Sequence, residues 1–153
     1  ANHGNLAGSG AVISVATLGT GRAALRQQKG LNGRFINVIP KYLIVPSAQE
    51  TTAQQFVTAT NVLYTKNGDV NPFAGSLQVI AEPRLDAASS TAWFLAGDPS
   101  QIDTIEYAYL EGNEGVYLES RVGFDVDGIE LKARLDFAAK AIDWRGFYKN
   151  PGA

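Results

Sequence analysis

The chain has 153 residues, 45% of them hydrophobic, enough for one domain of ordinary size or two small ones, with a buried core. Thirteen Lys and Arg against fifteen Asp and Glu give a formal net charge of −2, without the basic excess that phosphate neutralisation demands, so a dedicated nucleic-acid binder is disfavoured. With no cysteine and a single histidine, His3, the chain lacks the parts for disulfides, Cys-ligated zinc, thiol nucleophiles, His-based metal clusters and Ser-His-Asp triads.

No apolar run reaches the roughly 18 residues that span a bilayer, and no charged n-region precedes a signal-type apolar stretch. The chain therefore reads as soluble, with no membrane partner. Methionine is absent, initiator included, which points to a piece of a longer polypeptide.

Residues 1–14 show little periodicity and read as a loose lead-in or the cut end of a missing element. Residues 23–29 are helix-forming, with Arg26 and Lys29 in the last turn, where cations suit the helix dipole, and Gly30 placed just beyond the end. Tyr42-Leu43-Ile44-Val45, closed by Pro46, has the length and composition of a buried strand. Ser47-Ala48-Gln49-Glu50 then fits a reciprocal capping box, and the helix it starts places Ala53, Phe56 and Val57 on one face.

Turn formers cluster from Asn61 to Ser76, including Asn67-Gly68-Asp69 and Asn71-Pro72-Phe73-Ala74-Gly75, the latter reading as a turn with Phe73 buried. The remainder is β-rich. Residues 77–81 and 93–96 are strand-length apolar runs, and Ile105, Tyr107 and Tyr109 alternate with Thr104, Glu106 and Ala108. Residues 116–137 read as a long hairpin around Asp127-Gly128, a pair suited to a two-residue type I′ turn. One of its faces carries Leu118, Val122, Phe124, Val126, Ile129, Leu131, Leu135 and Phe137. That register sets Asp125 opposite Glu130, Arg121 opposite Arg134 and Glu119 opposite Asp136, and opposed like charges destabilise a pair. Diagonal partners (Glu119 with Arg134, Arg121 with Asp136), a longer turn, or a covering chain would each relieve it. The diagonals are the preferred solution.

Charge is unevenly spread. Residues 1–76 hold six bases and two acids, whereas residues 77–153 hold seven bases and thirteen acids. A solvated acidic face is the simpler reading, and the sharper one is head-to-tail association in which a basic patch meets an acidic patch on the next copy.

Three motifs suggest chemistry. The strand-like Ala11-Val12-Ile13-Ser14-Val15-Ala16 leads into Gly19-Thr20-Gly21-Arg22-Ala23-Ala24, a G-x-G-x-x-A pattern, but no acid for a ribose hydroxyl occurs before Glu50 and the later chain reads as antiparallel β, so dinucleotide binding is set aside. The basic segment from Arg22 to Lys41, with Phe35 and Tyr42, is the alternative reading, a small nucleic-acid-binding module. Asp143-Trp144-Arg145-Gly146 reads as a core-anchoring Trp with an Asp–Arg pair closing the last strand. Carboxylates are too abundant for their spacing to point to a hydrolase, and neither cofactor, metal site nor small-molecule substrate is indicated.

The order of several segments resembles a known family. Gln28-Lys29-Gly30-Leu31-Asn32-Gly33, Ile39-Pro40-Lys41-Tyr42-Leu43-Ile44-Val45-Pro46 with its following helix, Asn71-Pro72-Phe73-Ala74-Gly75, Glu82-Pro83-Arg84-Leu85-Asp86, residues 104–112 and Asp143-Trp144-Arg145-Gly146 are together similar to a tailed-bacteriophage or prophage major capsid protein, especially the Mu-like head subunit. The resemblance covers about residue 20 to the C-terminus. Its signature positions here are Pro40, Pro46, Asn71, Pro72, Phe73, Asp143, Trp144, Arg145 and Gly146. It implies an α+β chain of the Hong Kong 97 capsid type, a remnant of the peripheral domain plus the axial domain. On this view residues 1–19 are a lead-in or truncated element and residues 20–153 the capsid-type domain, helical at about 20–60 and β-rich at 77–153. The N-terminal arm, extended loop and most of the long helix would precede residue 1.

The resemblance also implies a non-enzymatic subunit whose partner is itself, in hexameric and pentameric capsomers. Its place would be the virion capsid, and the host cytoplasm before and during assembly, with non-specific proximity to packaged DNA. Another phage head or tail component is the nearest alternative. The acidic stretch from Asp98 to Asp127 is then expected on an axial or inward surface, repelling DNA.

Overall fold

Ser14, not a strand, opens the first helix. Its backbone is extended at φ −155° and ψ 166°; its hydroxyl accepts the Thr17 N–H at 3.2 Å while Thr17 Oγ1 accepts the Ser14 N–H at 3.0 Å, a reciprocal cap with Thr in the usual Glu position. Helix α1 (Val15–Arg26) follows and buries Leu18, Gly21 and Leu25 along one stripe. The helix expected at 23–29 thus begins eight residues earlier and ends before Lys29. Gly30 sits instead in a tight turn, donating to the Arg34 carbonyl at 2.8 Å, with Lys29 and Phe35 bridged across it.

The computed structural model describes residues 3–58, 70–123 and 127–153, and within them the chain divides into two compact units, Ala1–Thr104 with Asp143–Ala153, and Ile105–Ile142. In the first unit, β1 (Pro40–Val45) ends at Pro46 as its composition demands. A 3₁₀ turn (Ser47–Gln49) leads into α2 (Glu50–Thr58), which buries Ala53, Phe56 and Val57 as the spacing predicts. The capping box expected at Ser47 and Glu50 does not form. The Ser47 hydroxyl and amide both donate to the Asp86 carboxylate, the amide at 3.0 Å, while Glu50 accepts from Gln54 Nε2 at 3.1 Å. A distant carboxylate has replaced the local cap, and these bonds, the hydroxyl's foremost, hold the Asp86 pKa below its ordinary value.

Strands β2 (Gln78–Ala81), β3 (Trp93–Gly97) and, after the second unit, the last strand β8 (Phe147–Asn150) complete a sheet of order β2-β1-β3-β8. β1 and β2 are parallel, joined through α2, and the other two pairings are antiparallel. The expectation of purely antiparallel β after α2 is therefore corrected: β1-α2-β2 is a crossover unit, possible because the intervening chain is long enough to return to the same end of the sheet. One register row crosses all four strands as Val79, Leu43, Leu95 and Tyr148. Those side chains pack with Leu18, Leu25, Phe56, Val57, Phe73 and Trp93 into a single core. α2 lies against β2 and β1, and α1 against β8 and β3.

Nor are residues 5–13 loose. The Lys149 N–H donates to the Asn5 carbonyl at 2.8 Å and the Ala7 N–H to the Lys149 carbonyl at 2.9 Å, so the segment runs parallel beside β8. Asn150 Oδ1 accepts the Ala11 N–H at 2.9 Å, the Ala11 carbonyl accepts the Trp93 indole N–H at 2.9 Å, and Ile13 is buried. The strap covers the edge that β8 would otherwise present to solvent.

The second unit contains two separate two-stranded sheets: β4 (Ile105–Tyr109) with β7 (Phe137–Ala141), and β5 (Tyr117–Val122) with β6 (Ile129–Arg134). The hairpin is not in the register that a two-residue turn at Asp127-Gly128 requires. Arg121 faces Glu130, Glu119 faces Lys132 and Tyr117 faces Arg134, with the Gly123 N–H donating to the Gly128 carbonyl at 2.9 Å. The turn is longer, and the shift converts opposed like charges into the ion pairs Arg121–Glu130 and Glu119–Lys132, the latter at 3.3 Å. Neither expected diagonal is needed, since Arg134 pairs with Asp136 at 3.3 Å. Phe137, expected to extend the hairpin, instead opens β7 opposite Tyr109. Phe124, Asp125 and Val126 of the expected hairpin, and Asn67-Gly68-Asp69 before it, lie outside the described residues.

Candidate functional site

The signature positions all fall in the first unit, in three groups. Pro40 and Pro46 bracket β1 and both are buried. Asn71 and Phe73 are buried and Pro72 is exposed; Asn71 Oδ1 accepts the Phe73 N–H at 2.9 Å and its amide donates to the Phe56 carbonyl, tying the turn to the end of α2. The expected turn with a buried Phe73 is what the structure has.

Asp143-Trp144-Arg145-Gly146 forms the third group. Arg145 holds Asp143 through Nη1 at 3.0 and 3.2 Å and donates from Nε to the Lys29 carbonyl at 2.9 Å, so the pair closes the last strand onto the turn at residues 28–36. Trp144 is not the core anchor. It is half-buried and stacks on His3 with ring centroids 4.0 Å apart, whereas the fully buried tryptophan is Trp93. Gly146 is required sterically: a Cβ there would stand 2.0 Å from Thr104 Cγ2.

The G-x-G-x-x-A pattern of Gly19 and Gly21, set aside as a dinucleotide fingerprint, does not form a phosphate-binding turn. Both glycines lie inside α1, whose N-terminus is capped at Ser14, so their amides are bonded within the helix rather than turned toward a ligand. The basic segment is likewise dispersed. The Arg22 guanidinium sits 4.5 Å over the Phe73 ring, the Lys29 ammonium 5.4 Å over Phe35, and Lys41 pairs with Asp98 at 2.9 Å. Arg26 and Arg34 are exposed.

Two carboxylates have pKa values lowered to about 2: Glu82, held by the Arg84 side chain and amide, and Asp98, held by the Lys41 ammonium and then the Ser100 amide. Both folded values lie below their ordinary ones, so their contribution to stability is complete above about pH 4.5 and is lost as pH falls through about 2. The melting temperature is expected to fall over that window, and Asp98→Asn to flatten the fall. An unchanged acid profile in Asp98→Asn would show that the Lys41 pair adds nothing. Among the described residues no group of His, Asp and Glu could hold a metal ion, and no helix is long and apolar enough to cross a membrane.

Surface rather than cleft is the prominent feature. Of the 21 exposed large hydrophobic side chains among the described residues, thirteen lie in Ile105–Ile142, where no described residue is buried. The observed register puts Leu118, Val122, Ile129 and Leu131 on one face of the hairpin and its charged pairs on the other, while Ile105, Tyr107, Tyr109 and Phe137 share a face of β4–β7. A two-stranded ribbon with nothing against its apolar face is marginal in water. Sequence alternation places these side chains on shared faces; it carries no signal that, among the described residues, those faces stay exposed.

A family model described as a phage capsid protein matches residues 1–150, nearly the whole chain. No curated protein and no solved structure matches it. With that match joined to an α+β fold whose apolar surface is spread over exposed strands, the chain belongs to the phage capsid protein family and is a structural subunit of a capsid.

Proposed function

We propose that this protein is a shell-forming subunit of an icosahedral phage or prophage head, of the Hong Kong 97 type and similar to the Mu-like major head subunit. Copies self-associate into hexameric and pentameric capsomers that enclose DNA. The signature positions Pro40, Pro46, Asn71, Pro72, Phe73 and Asp143 to Gly146 act as framework rather than as a reactive site. The observation that carries this reading is the capsid-family match over residues 1–150. The exposed strand faces of Ile105–Ile142 support it, since a subunit held by many modest contacts needs area and complementary charge more than a deep pocket.

In this reading the subunit accumulates in the host cytoplasm and ends in the virion. Acids between Asp98 and Asp127 that face the interior would repel packaged DNA. Negative-stain electron microscopy of the concentrated protein is expected to show hexagonal or pentagonal rings or closed shells. A monodisperse monomer across all salt and protein concentrations would overturn self-association.

A further inference from the structure

The two faces of the β5–β6 hairpin make different demands. On one, Arg121–Glu130 and Glu119–Lys132 neutralise each other and are well solvated. On the other, Leu118, Val122, Ile129 and Leu131 are all more than 70% exposed, so a partner is needed there alone. Ile105–Ile142, which carries this face, has eight acids and four bases. Residues 26–39 have the opposite character: Arg26, Lys29 and Arg34 without an acid, and outward-facing Leu31, Phe35 and Ile39. Arg26, Lys29 and Phe35 line an open depression there.

We propose that the apolar face of the hairpin in one copy docks on residues 26–39 of a second copy, head to tail. This rests on the self-association reading above and names the surfaces that would perform it. Apolar contact holds the pair, and the opposite charges orient the approach. Hairpin-to-hairpin pairing would bring two acidic regions together. Because donor and acceptor surfaces differ and both are on every chain, the contact repeats and closes into a ring when its rotation divides a full turn.

The absence of cysteine makes the test direct. Leu131→Cys and Leu31→Cys chains, altered at positions 83% and 99% exposed and so expected to fold normally, are mixed under assembly conditions and treated with a short bismaleimide. A mixed dimer is expected at several-fold higher yield than from either variant alone, falling as salt rises, and Arg34→Glu in the Leu31→Cys chain should cut that yield several-fold. Equal or greater cross-linking of Leu131→Cys to itself would overturn the head-to-tail contact. Cross-linking within one dilute chain carrying both cysteines would do so too, by placing the hairpin on its own copy. Assemblies that persist in micrographs without the mixed cross-link overturn this contact and leave self-association standing. A chain monomeric throughout overturns both.

Discussion

Trp93→Ala should cost about 3–5 kcal/mol of unfolding free energy, the range for truncating a fully buried aromatic side chain. Trp93 has no exposed surface, its ring lies 6.1 Å from that of Tyr148, and its indole N–H is bonded to the Ala11 carbonyl. The substitution therefore opens a cavity beneath the central strands and unpins the N-terminal strap in one step. A domain of this size is stable by only about 5–15 kcal/mol, so the variant should be partly unfolded near body temperature. Trp93→Phe keeps most of the packing and should lose about 1–2 kcal/mol with the hydrogen bond. Urea denaturation followed by circular dichroism measures both. If Trp144→Ala proved as damaging as Trp93→Ala, the assignment of the core tryptophan would be wrong, because Trp144 is half-exposed against His3.

The two glycines of the apparent G-x-G pattern should respond with opposite signs. A Cβ at Gly21 would stand 2.7 Å from Leu95 Cδ1 and 2.9 Å from the Tyr148 ring, atoms of side chains that are themselves buried. Gly21→Val should accordingly lose about 2–3 kcal/mol through overpacking where α1 crosses β3 and β8. At Gly19 nothing lies within 4 Å of a Cβ, and Gly19→Ala should gain about 0.5–1 kcal/mol from helix propensity alone. Denaturation midpoints of the two variants decide the matter. Losses of similar size at both positions would mean that Gly19 has a role the helix does not explain.

Much of the local structure was legible because the signals were local. Pro46 after Tyr42-Leu43-Ile44-Val45, the Ala53, Phe56 and Val57 spacing, and Asn71 ahead of Phe73 each act within one turn or one strand, and each element appears where it was expected. The cap on α2 failed this test for a physical reason. A capping box needs the Ser47 amide to donate to the Glu50 carboxylate, and a carboxylate 39 residues away, that of Asp86, takes that amide and the hydroxyl proton instead. Nothing in the Ser47 to Glu50 spacing could show that.

Register belongs to the same class. Alternation in residues 116–137 announces two strands, but the register determines which charges meet, and the observed one sets Arg121 against Glu130 and Glu119 against Lys132. For the assembly surface, the amino acids alone identify Leu118, Val122, Ile129 and Leu131 as side chains that want burial, and they separate a basic first half from an acidic second. Alternation already put them on one face; the fold decides that the charges on the opposite face pair with each other, and that among the described residues this apolar face stays exposed. Periodicity specifies which face must leave water, whereas what it meets depends on the three-dimensional course of residues far apart in the chain.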